Sequence, residues 1–148
     1  MDVMRVLACA LGASLVTSCT PRPDDNAVGA EILMEDLRNL QGMWEHTFKD
    51  RDGNPVRKVK DLKANTERVT WYAADGAILL VNTVEFRLGM KGNEKVFTYF
   101  NGMVVDGPPK GTPFESGSYS YTLEGDEWTE IMTSGEKFVW KRVKVGEK

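Results

Sequence analysis

Turn-forming residues interrupt the chain at a hairpin rhythm: Asp52-Gly53-Asn54, Asp75-Gly76, Gly89 to Gly92, Asp106-Gly107-Pro108-Pro109, Gly125-Asp126 and Ser134-Gly135. Glycine supplies the left-handed backbone that tight reversals need, and Asn and Asp tolerate it. Between these turns the sequence predicts strands near 42–50, 55–62, 67–73, 77–88, 95–105, 114–124, 127–133 and 136–144, about eight in all. Short turns make an antiparallel meander the simple arrangement. Closing eight strands into a barrel removes both exposed edges. The expected fold class is therefore all-β, an eight-stranded antiparallel meander barrel, preceded by a short N-terminal helix.

Period-two alternation assigns the faces. Ile78, Leu80, Val84, Phe86 and Leu88 share one side of their strand, with Asn82 the polar interruption. Tyr119, Tyr121 and Leu123 alternate with small hydroxylated residues. Trp128, Glu130 and Met132 share a face, as do Phe138, Trp140 and Arg142. All four Trp, four Tyr and six Phe lie between Trp44 and Trp140. Upstream, Ile32, Leu33, Leu37 and Leu40 recur at helical spacing among Glu31, Glu35, Asp36 and Arg38.

The N-terminus carries a different message. Val6–Val16 is an apolar run of eleven residues, well under the roughly 20 needed to span a bilayer but right for a signal-peptide core. It ends in Val16-Thr17-Ser18-Cys19, which resembles the bacterial lipobox. That resemblance implies acylation of the Cys19 thiol and cleavage after Ser18. Asp2 dilutes the basic start, and translation from Met4 would give a cleaner one. Thr20-Pro21-Arg22-Pro23-Asp24-Asp25 does not continue a helix. The expected organisation is a signal peptide at 1–18, a lipidated tether at 19–30, and one domain with its leading helix at 31–148. The location that follows is extracytoplasmic, on a bacterial membrane. Thr20 after the cysteine favours the outer membrane if the cell is Gram-negative.

Processing also limits the chemistry. Cys9 leaves with the signal peptide and Cys19 carries lipid, so no thiol remains for a disulfide, a zinc site or catalysis. The net charge of −3 argues against nucleic acid as a partner. Arg57-Lys58-Val59-Lys60 reads as a solvated basic face rather than a phosphate site. His46 is the only histidine, and no nucleophile elbow accompanies it. Asp50-Arg51-Asp52-Gly53 has its glycine too early for a calcium loop and reads as a turn. Neither a catalytic set nor a metal or other cofactor is expected.

Leu40-Gln41-Gly42-Met43-Trp44, after a short helix and at the start of the first strand, resembles the Gly-x-Trp opening of lipocalin-like (calycin) barrels. Gly117 to Glu130 resembles a Gly-x-Tyr…Tyr-x-Glu pattern of small bacterial lipocalin-like domains, many of them lipid-anchored. The resemblance covers about residues 39–144 and implies that Arg142 on the last strand covers Trp44 and closes one end. The chain is shorter than full lipocalins and lacks their disulfides.

Eight strands leave room inside for packed side chains or one small ligand. The candidate cavity residues are His46, Phe48, Asn82, Phe86, Tyr121, Trp128, Glu130 and Trp140. His46, Asn82, Tyr121 and Glu130 either anchor a ligand or satisfy one another at a wet end, since a buried charge without partners is costly. Two functions remain open. One is a lipid-anchored protein binding a small apolar or amphipathic ligand in the barrel. The other is an interaction or inhibitor lipoprotein whose filled barrel is a scaffold for loops such as Asp106–Pro113. An aromatic cavity favours the first, and a packed interior with an exposed apolar patch favours the second. Oligomeric state is not legible.

Overall fold

The computed structural model describes residues 25–144 and 146. The expected signal peptide, Cys19 and the start of the tether lie outside the described residues. Helix α1 (Asp25–Leu40) is followed by strands β1 (Gly42–Lys49), β2 (Pro55–Lys63), β3 (Thr66–Tyr72), β4 (Ile78–Lys91) and β5 (Glu94–Asp106). Then come β6 (Pro113–Phe114), β7 (Gly117–Glu124), β8 (Glu127–Ile131) and β9 (Lys137–Arg142).

All pairings are antiparallel. Successive hairpins join β1 to β5, β7 pairs with β5, and β8 and β9 follow. Trp44 of β1 then pairs with Arg142 of β9, which closes the ring. The result is a closed eight-stranded antiparallel barrel with one short helix at its N-terminal side. The two-residue β6 stands outside this count, since it pairs only with Gly102 and Met103 of β5. The single strand expected at 114–124 is thus split. Asn101 has a left-handed φ of 52°, and the β4–β5 register shifts nearby, as expected of a bulge that bends long strands around a small barrel.

Helix α1 begins at Asp25, six residues before the expected domain boundary at 31, so the tether as predicted is partly helical. After Pro23 nothing in Asp25-Asn26-Ala27-Val28 forbids a helix, and acidic residues suit its positive N-terminal end. Ile32 is 41% exposed and does not join Leu37 and Leu40 against the barrel. Gly42 turns the chain from helix to strand at φ 104°, a conformation that an L side chain rarely adopts. A Cβ there would make only ordinary contact with Arg142 Nη1, at 3.8 Å, so the backbone conformation alone selects glycine.

One end of the barrel is shut. It holds α1, the turns after β2, β4 and β7, and the end of β9. Leu40, Trp44, Phe97 and Trp128 are fully buried there. Phe97 stacks between Phe86 and Tyr119 at 4.6 and 5.0 Å, while Trp44 meets Trp128 edge-on at 5.8 Å. Such pairs add about 0.5–1.5 kcal/mol each to the burial itself. Polar ties fix the lid. Tyr121 Oη donates to Asp36 Oδ2 (2.8 Å) and Trp44 Nε1 donates to the Leu40 carbonyl (2.9 Å). Lys95 Nζ bridges to the same Asp36 oxygen at 2.8 Å. Gln41 clasps the β2–β3 turn, donating to the Ala64 carbonyl (3.1 Å) and accepting from its N–H (2.6 Å).

Candidate functional site

The opposite half of the barrel is not filled. A cavity of about 260 Å³ opens at the end formed by the turns after β1, β3 and β8 and by the Asp106–Pro113 loop. Its walls are mostly aromatic, with Trp71, Tyr99, Phe138 and Trp140 among them. Phe114 of β6 folds over the rim. It can do so because Gly102 lies beneath it, where a Cβ would come within 2.5 Å of the ring.

The floor is charged. Lys60, Glu67 and Glu130 all line the cavity, and each is at most 5% exposed. Lys60 Nζ donates to Glu67 Oε2 at 3.0 Å and to Glu130 Oε1 at hydrogen-bond contact, with the Tyr119 hydroxyl at 3.5 Å. The same ammonium lies 4.4 Å from the Trp128 ring centre and 4.5 Å from that of Trp140. Strand alternation explains the grouping. Lys60 pairs across β1–β2 with Trp44 and across β2–β3 with Val69, so it shares their inward face. Glu130 is inward with Trp128 on β8.

These groups set one another's ionisation. Burial works against the Lys60 ammonium, but the carboxylates of Glu130 and Glu67 outweigh it and hold its pKa above the usual lysine range. One lysine does not neutralise two carboxylates. Burial, assisted by Glu130, therefore raises the Glu67 pKa despite the pull of Lys60. Burial and the same two carboxylates push the Tyr119 phenol well up.

Lys58, two residues nearer the mouth, is placed differently. Its Nζ sits 3.8 Å from the Trp71 ring centre, 4.9 Å from that of Phe48 and 5.8 Å from that of Phe138. No carboxylate pairs with it among the described residues. Burial first, and then the like charge of Lys60, press its pKa below the usual lysine range.

Of the residues proposed from sequence as cavity lining, the structure brings Asn82, Glu130 and Trp140 to this cavity. The other five lie elsewhere. Phe86 and Trp128 are packed into the closed half, which large aromatics fill completely. Tyr121 is inward but engaged with Asp36 at the helix end. His46 and Phe48 stack on each other at 6.0 Å beside the seam. There β1 and β9 pair at Trp44–Arg142 and Glu45–Lys141, the Val143 N–H donates to the Met43 carbonyl at 2.9 Å, and His46 Nδ1 extends the seam by donating to the Val139 carbonyl at 2.9 Å. At the closed end the Arg142 guanidinium carbon lies 4.2 Å from the centre of a Trp44 ring.

The basic run Arg57-Lys58-Val59-Lys60, expected as a solvated face, is corrected by the structure. Lys58 and Lys60 point into the barrel, and only Arg57 keeps to the surface, where it pairs with Glu45 at 3.1 Å. Glu67 was missed as well, and its place opposite Leu62 on β3 is a signal that only strand pairing reveals. The Asp50 loop is a turn. Asp50 Oδ1 accepts from the N–H groups of Asp52 (2.9 Å) and Asn54 (2.8 Å). No cluster suited to a metal ion occurs among the described residues. Compared with protein-family models, with curated proteins and with solved structures, the chain matches none.

Proposed function

We propose that this protein is an extracytoplasmic, lipid-anchored binding protein of the lipocalin-like kind, which holds a small apolar or amphipathic ligand in the open half of its barrel. The observation that carries the reading is the aromatic cavity of about 260 Å³ above a buried polar floor. Ligand sites are commonly concave and mostly apolar, with a few convergent polar groups. That volume suits a small compound and is too tight for a long lipid chain. The lipobox-like Val16-Thr17-Ser18-Cys19 supports the anchor and the location, and the Gly42-x-Trp44 opening with Arg142 over the indole supports the family likeness.

A second reading has its own observation. Ile78, Leu79 and Met103 are 54%, 44% and 45% exposed near the Asp106–Pro113 loop, which is the kind of surface an interaction scaffold would present. The unfilled interior weighs toward the first reading. The test is native mass spectrometry of the full chain extracted in detergent from its own host. The expected result is a co-released small molecule. A barrel that is repeatedly bare and that takes up no added compound would favour the scaffold.

A further inference from the structure

Strand β2 sends two lysines into the barrel, and their environments differ in a way that says something about the ligand. Lys60 is fully engaged, with Glu67 and Glu130 gathered on its ammonium. Lys58 has aromatic faces on several sides and no counter-charge within ion-pair distance among the described residues. The carboxylates that attract it, Glu130 and Glu136, act only at longer range. Lys60 repels it. A cation held among aromatic rings is stabilised by their faces, yet among the described residues no protein group accepts from its ammonium N–H donors, which the open cavity leaves to solvent or a ligand. Such donors are best completed by an oxygen that carries negative charge.

The rest of the cavity narrows the choice. Trp71, Phe138 and Trp140 carry the two ammoniums on their faces, while Tyr99 and Phe114 add aromatic wall that neither lysine covers, and about 260 Å³ accommodates a single ring with small substituents. At the floor the two carboxylates would repel a second anionic group and accept a hydrogen bond from a hydroxyl or amino substituent.

We infer that the cavity takes a small aromatic anion, its carboxylate or sulfonate on the Lys58 ammonium and its ring between the aromatic walls. This inference rests on the proposal that the cavity is a ligand site, and it narrows an apolar or amphipathic ligand to an anionic one. A cationic ligand is disfavoured by the same geometry, because Lys58 already occupies the aromatic faces that would receive it.

The experiment compares three small para-substituted phenols of different charge on the full chain in detergent micelles, followed by tryptophan fluorescence and calorimetry. They are 4-hydroxybenzoate, its neutral amide 4-hydroxybenzamide, and the cation tyramine. The anion is expected to bind at least about tenfold more tightly than the amide, and tyramine weakest, since the ammonium bonds an opposite charge more strongly than the neutral amide carbonyl it would otherwise meet. Lys58→Met is expected to level anion and amide, while Lys58→Arg keeps the preference. An amide equal to the anion, a preference for tyramine, or an unchanged preference in Lys58→Met would overturn the inference while leaving the ligand site standing. If none of the three probes, and no neutral aromatic alcohol, perturbs the tryptophans at millimolar concentration, the ligand-site proposal falls and this inference with it. Should Lys58→Met not fold, the three-probe order on the unaltered chain still decides.

Discussion

Trp44 and Arg142 stand opposite each other in the β1–β9 seam, the guanidinium carbon 4.2 Å from the indole ring centre. Arg142 does more than stack. Its Nη2 donates to the Asn39 carbonyl (2.5 Å), its Nη1 to the Gln41 carbonyl (3.1 Å) and its Nε to Asp126 (3.0 Å). One side chain therefore ties the last strand to the end of α1 and to the β7–β8 turn. Arg142→Ala is expected to lose about 1–3 kcal/mol, and Trp44→Ala about 3–5 kcal/mol because it also opens a cavity. The double variant should lose less than the sum, since the two residues share one interaction. Denaturant unfolding of all three measures this, and strict additivity would refute the shared contact.

The helix lid makes a separate prediction. Tyr121→Phe removes the hydroxyl that donates to Asp36 and leaves Lys95 as the remaining tie to that carboxylate. The expected loss is about 1–2 kcal/mol. It should appear first as faster amide exchange in α1, with the strand amides still protected, because the helix is joined to the barrel mainly at this end. Uniform loss of protection throughout the barrel would contradict the local role.

The buried triad should behave as buried ion pairs do. Lys60→Met leaves two carboxylates facing each other without a cation, and breaking such a pair from one side costs about 3–5 kcal/mol. Replacing all three at once, Lys60→Met with Glu67→Leu and Glu130→Leu, is expected to be near neutral or stabilising, since the desolvation penalty of every charge disappears. Thermal unfolding of the single and triple variants separates the two cases. A triple variant as unstable as Lys60→Met would show that shape, not charge, dominates the floor.

The closed ring of strands was legible in the sequence because its causes are local. The turns at Gly53, Gly76, Gly92, Gly125 and Gly135 each use a left-handed φ between 58 and 85°, and Gly beside Asp, Asn or Ser announces them. Glu130 was legible as inward because Trp128 and Met132 flank it at period two. Lys58 and Lys60 were not. In Arg57-Lys58-Val59-Lys60 charge falls on both faces of the strand, so alternation carries no apolar face, and Val59, the one apolar residue, turns away from the lysines. The carboxylates that make an inward Lys60 tolerable lie 7 and 70 residues away, and only strand pairing brings them together. Tyr121 was misplaced for a similar reason, since its partner Asp36 is 85 residues distant. Inward direction could be read, but not the level along the barrel axis at which aromatics stop filling the interior.

The N-terminal proposal is tested without reference to the barrel. Cys19→Ala should accumulate as an uncleaved precursor that lacks the acyl mass increment and no longer takes up labelled fatty acid. Mass spectrometry of membrane and soluble fractions reads both. A mature chain that begins elsewhere than Cys19, or equal fatty-acid labelling of the variant, would rule out the lipobox reading.

Alkaline pH should unfold this barrel earlier than an ordinary lysine or tyrosine content would suggest. Lys60 is held above its usual range by Glu130 and Glu67, and Tyr119 and Tyr121 are raised by burial together with nearby carboxylates. A group whose folded pKa is raised keeps its proton more tightly in the fold than in the unfolded chain. Its contribution is fully present below the unfolded value, near 10 to 10.5 for these types, and is lost as pH rises beyond it. Each such group can lower stability by up to about 1.4 kcal/mol per pH unit in that window. Lys58, shifted down, acts in a different window: it adds stability as pH rises towards about 10.5 and contributes no slope beyond it. The unfolding free energy should therefore not fall on the approach to about pH 9.5, and should fall steeply above about pH 10. Lys60→Met should shallow the slope by about one proton's worth, whatever its effect on stability at pH 7. Chemical denaturation at half-unit pH intervals gives the slope directly, and a curve that stays flat to pH 11.5 would mean that these protons are not held more tightly in the fold.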